Sequence, residues 1–185
     1  RLARQLAGFV DVAEFQLAGQ GRTQLGWNRA GGMLKTQFNV QLENFVLSTP
    51  GRRWEEKKLE VRGAAEAAEP QTAATAVLPT RVDRANLLVT SGDDRLVAEL
   101  TQPVTDLAGG NWPVKGQLQG DLERWQARLL PLLPTLKGVD LSGNCQSNFD
   151  LMATADRITL NQLTAKCQPL HVWTGGLYLD EQTVQ

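Results

Sequence analysis

The chain holds one histidine, His171, flanked by Leu170 and Val172, and two cysteines, Cys145 and Cys167. Zinc sites draw their protein ligands from several histidines, thiolates and carboxylates together. A lone imidazole, with neither a second His nor a Cys pair beside it, supplies one ligand, so His171 reads as a structural or exposed side chain. The same residue would have to serve any Ser-His-Asp triad, and no serine stands in a Gly-x-Ser-x-Gly elbow. Asp93 and Asp94 follow Ser91-Gly92 without the alternating oxygen ligands of a calcium loop, which makes them turn residues. Gly31-Gly32, Gly109-Gly110 and Gly175-Gly176 lack the frame of a phosphate-binding loop and also read as turns. A count of acids says nothing of the separation that a carboxylate pair needs for glycoside hydrolysis. The expectation is a chain that is not an enzyme, with no metal and no cofactor.

Charge and composition narrow the partners. Across 185 residues there are 19 basic and 20 acidic side chains and a formal charge of -1, which removes the electrostatic basis for a nucleic-acid binder. Arg52-Arg53 and Lys57-Lys58 are interrupted by Glu55, Glu56 and Glu60, so they read as a solvated face rather than an anion site. A hydrophobic fraction of 42% suffices for a core, while mean hydropathy of -0.28 describes a soluble chain. No run approaches the roughly 20 apolar residues of a spanning helix. Beginning at Arg1 without a signal-like segment, the sequence reads as a processed product or an excised piece. Trp27, Trp54 and Trp173 read as anchors of a sheet core, with lipid-facing or interface positions as the other reading.

The elements that must position these residues are strands. From Leu34 to Leu42 the even positions are Leu34, Thr36, Phe38, Val40 and Leu42, and the odd ones are Lys35, Gln37, Asn39 and Gln41. A strand puts the two sets on opposite faces, whereas a helix would scatter the apolar set around its circumference. Phe45 and Leu47 resume the series one step out of phase, which a bulge near Glu43 and Asn44 accommodates. Leu17, Gly19, Gly21, Thr23, Leu25 and Trp27 precede it, with residues 28–32 as a five-residue hairpin connection. Residues 54–63, heavily charged, read as a strand near a sheet edge. Residues 64–76 fit a short helix on propensity, or a weak strand or surface loop because Pro70 interrupts them. Residues 82–89 and 96–100 form a second hairpin, and 114–118 a short strand. Asp121 caps a helix carrying Leu122, Trp125, Leu129 and Leu130, limited by Pro131 and Pro134. Residues 139–152 and 157–172 pair, and 177–179 follow. The fold class is mainly β: a long, twisted, mostly antiparallel sheet forming a groove or two-layer β structure, with one short helix near residues 121–130. Residues 1–185 read as a single β-rich domain or a fragment of a larger repetitive β protein, with 1–102 and 112–185 as its subunits if it divides.

Three places open a strand alike. Leu17-Ala18-Gly19 is followed by Leu25, Val114-Lys115-Gly116 by Leu122, and Leu141-Ser142-Gly143 by Phe149, each eight residues after its first apolar position. Together with Arg157-Ile158-Thr159-Leu160-Asn161-Gln162-Leu163-Thr164-Ala165, the segments from Val114 and from Val139 resemble parts of AsmA-like and TamB-like bacterial envelope proteins. The likeness is strongest over residues 114–179, with an echo at 17–47. It implies a repeated β-sheet curved into an apolar groove, a place in the bacterial periplasm or cell envelope, and a part in envelope maintenance and phospholipid transport. It also implies membrane association only through regions outside this chain.

On that resemblance the apolar face lines a groove for phospholipid or another acyl-chain ligand, with Leu34, Phe38, Val40, Leu42, Phe149, Leu151, Ile158 and Leu160 as lining residues. The alternative is a structural or protein-binding β domain of a larger envelope or extracellular protein, the same residues filling a closed sandwich and recognition using loops or an edge strand. Cys145 shares parity with Leu141, Phe149 and Leu151, and Cys167 with Leu163 and Ala165. A turn at residues 153–156 opposes positions summing to about 309, against 312 for the cysteines, so a bulge or small register adjustment brings them across from one another. They form a disulfide in an oxidising compartment or stay as two buried thiols.

Overall fold

The computed structural model describes residues 16–49, 52–68, 79–107, 109–130, 137–154 and 157–183. The two-residue alternation is realised in nine strands: β1 (Gln16–Ala30), β2 (Met33–Thr49), β3 (Arg52–Ala68), β4 (Arg81–Ser91), β5 (Asp94–Leu100), β6 (Trp112–Asp121), β7 (Val139–Ala153), β8 (Ile158–Thr174) and β9 (Leu177–Glu181). Among the described residues one helix, α1 (Leu122–Leu129), lies between β6 and β7. The strands form one sheet in chain order, each antiparallel to the next. This is the mainly β, antiparallel architecture with one short helix that the patterning implies.

Local chemistry explains the departures from regularity. Ala30 pairs with Met33, so the first hairpin closes through Gly31 and Gly32 alone, at φ 60° and 73°. Two successive positive φ values define the tight turn that suits a twisted ribbon, and glycine adopts them without a Cβ penalty. The connection is therefore two residues, not five. The phase slip in β2 is a bulge: the β1–β2 register shifts between Ala18 and Gln20, with Asn44 at φ 49° and Gly19 at φ 126°.

A second bulge repeats this device. The β7–β8 register shifts between Ser142 and Asn144, where Gly143 has φ 122° and a Cβ would collide with the Pro169 carbonyl oxygen. Gly19 and Gly143, the glycines of the two outer repeat copies, thus do the same work. The middle copy differs. Gly116 lies under the Phe149 ring, and Leu122 opens α1 rather than continuing a strand.

β3 sits between β2 and β4, which corrects the expected edge position. Its charges find partners on the strand beside it: Lys35 Nζ meets Glu66 Oε1 at 2.8 Å and Gln41 Nε2 donates to Glu60 Oε1 at 3.1 Å. Cross-strand pairing of this kind lets a charged strand lie inside a sheet. The ambiguous stretch after Gly63 extends β3 to Ala68; residues 69–76 lie outside the described residues.

Asp121 caps α1 by accepting from Arg124 N at 2.9 Å. Beneath the helix, Trp125 is buried and its Nε1 donates to Gln119 O at 2.9 Å. Where β6 turns into α1, the start of β7 loses its strand neighbour. The Gln126 carboxamide replaces it, donating to Val139 O and accepting from Leu141 N at 2.9 Å.

Gly143 and Gly175 separate conformational need from mere turn preference. Gly143→Ala is expected to lower stability by more than about 1 kcal/mol, since both φ and space exclude a methyl. A Cβ at Gly175 meets nothing within 4 Å, so Gly175→Ala leaves stability unchanged or slightly higher. Urea unfolding of the two variants checks the contrast.

Candidate functional site

Residues directly opposite one another on neighbouring strands share a face of the sheet. Following the register from Phe38 gives a single row across eight strands: Leu25, Phe38, Gly63, Leu87, Ala98, Gly116, Phe149 and Leu163. At roughly 4.8 Å per strand the row is about 34 Å long. It is nearly palindromic. A Cβ at Gly63 would strike the Phe38 ring and one at Gly116 would strike the Phe149 ring, so each phenyl lies over the glycine of the adjoining strand. The next row reads Thr23, Val40, Val61, Val89, Leu96, Leu118, Ser147 and Ala165. On the far side of the first, Leu100, Val114, Leu151 and Leu160 align.

The opposite face is different in kind. Its matching row is Gln24, Asn39, Arg62, Leu88, Val97, Gln117, Asn148 and Thr164, and the next contains Gln37, Asn86, Glu99, Lys115, Asp150 and Gln162. One side of the sheet is apolar and the other polar. The apolar side remains accessible at its margins: Leu25 is 60% exposed, Phe38 36% and Leu163 55%.

All eight sequence-derived lining residues fall on the apolar face, but in two groups. Leu34, Phe38, Val40 and Leu42 belong to β2, while Phe149, Leu151, Ile158 and Leu160 belong to β7 and β8, five strands and more away. The residues that join them, Val61, Gly63, Leu87, Val89, Leu96, Ala98, Gly116 and Leu118, were not among those singled out. Cys145 and Cys167 are directly opposed on β7 and β8 and joined as a disulfide, beside Gly120 on β6. The last β7–β8 pair is Ala153 with Ile158, closed by Thr154 N donating to Arg157 O, and a register shift between Asp150 and Leu151 adds the further adjustment that opposes the cysteines.

At one end of the apolar face, α1 is held by a buried ion cluster that the sequence did not reveal. Arg128 Nε meets Glu56 Oε1 at 2.6 Å and its Nη2 meets Asp94 Oδ2 at 2.8 Å, with side-chain exposures of 5%, 10% and 0%. Arg124 Nη2 donates to Asp94 Oδ1 at 2.9 Å, and Asp121 N donates to the same oxygen at 3.0 Å. Asp94 is therefore an anchor for the helix start and not simply a turn residue. Gly120, at φ 131°, leaves the space: a Cβ there would collide with the Asp94 carboxylate. Glu56 also accepts from Ser91 Oγ, and from Trp54 Nε1 at 2.8 Å. Burial pushes the Glu56 carboxyl upward, but hydrogen bonds from Arg128, Ser91 and Trp54 outweigh it and hold its pKa below 4.5. The Arg128 guanidinium stacks 4.7 Å from the Trp125 ring centre, shielding the cluster from water.

A cleft of about 370 Å³ lies beyond the helix, between Glu123 and Gln126 of α1 and Asp140, His171, Trp173 and Tyr178 of the sheet. His171 Nδ1 stands 2.9 Å from Asp180 Oδ1, while the Tyr178 hydroxyl donates to Asp180 Oδ2 at 3.2 Å. That hydrogen bond and the adjacent carboxylate charge raise the Tyr178 pKa. Trp173 and Tyr178 meet edge to face at 5.9 Å. His171 thus has a structural partner. Among the described residues no group of three or more His, Cys, Asp or Glu is placed to hold a metal, and no helix is long and apolar enough to cross a membrane.

The chain matches no protein-family model, no curated protein and no solved structure.

The ion cluster has a pH signature. Because the folded pKa of Glu56 lies below its unfolded value, its contribution to stability is complete above about pH 4.5 and is lost as pH falls through the folded pKa. Glu56→Gln is expected to lower stability at neutral pH and to flatten the loss of stability below pH 4.5. Asp94→Asn, which removes one of the two carboxylates paired with Arg128 and the carboxylate paired with Arg124, costs about 3–5 kcal/mol. Thermal unfolding of the three proteins across the acid range checks both; an unchanged acid profile in Glu56→Gln removes this cluster from the pH dependence.

Proposed function

We propose that this chain is a non-catalytic β module of the bacterial cell envelope that holds acyl chains of phospholipid, or of a related lipid, against its apolar sheet face. The observation that carries the reading is the unbroken row from Leu25 to Leu163, apolar on every strand from β1 to β8. Its length of about 34 Å compares with the roughly 30 Å hydrocarbon thickness of a whole bilayer, so extended acyl chains can lie along it. Binding on such a surface is desolvation. Each methylene transferred from water to the row contributes about 0.8 kcal/mol, without a directed bond or a reaction. Gly63 and Gly116 lower the floor beside the two phenyl rings, which favours a thin flexible ligand over a broad rigid one. The resemblance of residues 114–179 to AsmA-like and TamB-like proteins supports the same ligand class and compartment.

Native mass spectrometry of the gently purified chain, followed by titration with a fluorescent phospholipid, tests the proposal. Lipid adducts and saturable binding are expected. Leu25→Glu and Phe38→Glu, each folded by circular dichroism, are expected to weaken binding by about tenfold or more, since each removes roughly 1.5–3 kcal/mol of apolar contact. Gln24→Glu, one residue from Leu25 but on the polar face, leaves binding unchanged. A wild-type chain that carries no lipid and binds none of a phospholipid panel overturns the reading, as does equal binding by Leu25→Glu, Phe38→Glu and Gln24→Glu.

A further inference from the structure

β8 is 17 residues long, but β9 pairs only with residues 170–174 on its outer side. Among the described residues, 158–168 leave that side of β8 without a strand partner. A bulge sets Asn161 apart, since Leu160 pairs with Leu151 and Gln162 with Asp150. Residues 162–168 are regular beyond it, each paired in sequence with 150–144 of β7, and end where Pro169 and the register shift opposite Gly143 separate them from the residues that β9 pairs. An unpaired regular edge of this kind is a template for a further strand.

The side chains define what fits. Leu163 and Ala165 lie on the apolar face, with Leu160 and Ile158 beyond the bulge; Gln162, Thr164, Lys166 and Gln168 lie on the polar face. Ile158, Leu160 and Leu163 are 57%, 53% and 55% exposed, so the apolar rows stop at this edge uncovered. Lys166 is the single charge in residues 158–168. The opposite edge of the sheet is a poorer template. β1 carries Gly19, Gly21 and Gly26 and the charges of Arg22 and Arg29, features that weaken a strand and discourage pairing.

We propose that residues 162–168 of β8 are a docking edge for an extended peptide strand from another protein, one with apolar and polar residues in alternation and an acidic residue opposite Lys166. The added strand pairs by main-chain hydrogen bonds, which supply affinity, while the alternation and the acid supply register. Its apolar side chains prolong the rows that end at Leu163 and Ala165. This inference stands on the half-filled β8 ladder and holds whether or not lipid occupies the apolar face.

The test uses the intact chain and a synthetic seven-residue peptide alternating valine and threonine, with one threonine replaced by glutamate opposite Lys166. Amide hydrogen exchange is expected to slow at alternate residues of 162–168 when the peptide is added. The same peptide N-methylated on its bonding edge is expected not to bind. Lys166→Glu weakens binding of the glutamate peptide several-fold and strengthens that of a lysine counterpart, an exchange of attraction for repulsion between opposed residues. Unchanged exchange at 162–168 overturns the proposal. Equal binding by the N-methylated peptide also overturns it, because that result means adhesion to the apolar face rather than strand addition.

Discussion

The nine strands form one sheet that gathers its apolar side chains on one face, so cross-strand register is the constraint on which this molecule depends. A slip of one residue between any two strands would carry the apolar set of one of them to the polar face. The features that hold register are spread along the sheet. Gly31-Gly32 closes the first hairpin tightly, Gly19 and Gly143 absorb two of the sheet's register shifts, and the Cys145–Cys167 bond ties β7 to β8 at an opposed pair. Phe38 over Gly63 and Phe149 over Gly116 add a side-chain lock, since each ring fits only where its neighbour lacks a Cβ.

The helix end is organised by charge instead. Asp94, Glu56, Arg124 and Arg128 come from three separate elements and converge under α1. Such a cluster gains little over a well-packed apolar plug, yet removing one partner strands the others in a dry site. Its value here is positional: it fixes α1 against one end of the apolar face. Gln126 extends the same logic by supplying to β7 the two backbone partners that β6 no longer provides.

The parts of this arrangement that were legible in the sequence are those carried by a single strand. The alternation from Leu34 to Leu42 and the phase slip at Asn44 are written in consecutive residues, and so is the Asp121 cap. What depended on a partner strand was hidden. The charges of β3 suggested an edge because their partners, Lys35 and Gln41, lie on β2. Asp94 looked like a turn residue because Arg124 is 30 residues away. Leu87 was masked by its neighbours Leu88 and Val89, and Gly63 and Gly116 say nothing until Phe38 and Phe149 are laid beside them. The lining set was therefore read as two flanks without the floor that joins them.

The most direct measurement of the central claim is methyl NMR of the chain with a phospholipid spin-labelled in its acyl chain. Leu87 and Leu88 are consecutive in β4 but face opposite sides, paired with Ala98 and Val97 respectively. Lipid held on the apolar face broadens the methyl signals of Leu25, Leu87 and Leu163 and spares those of Leu88 and Val97. Equal broadening of Leu87 and Leu88, or none at either, contradicts the account.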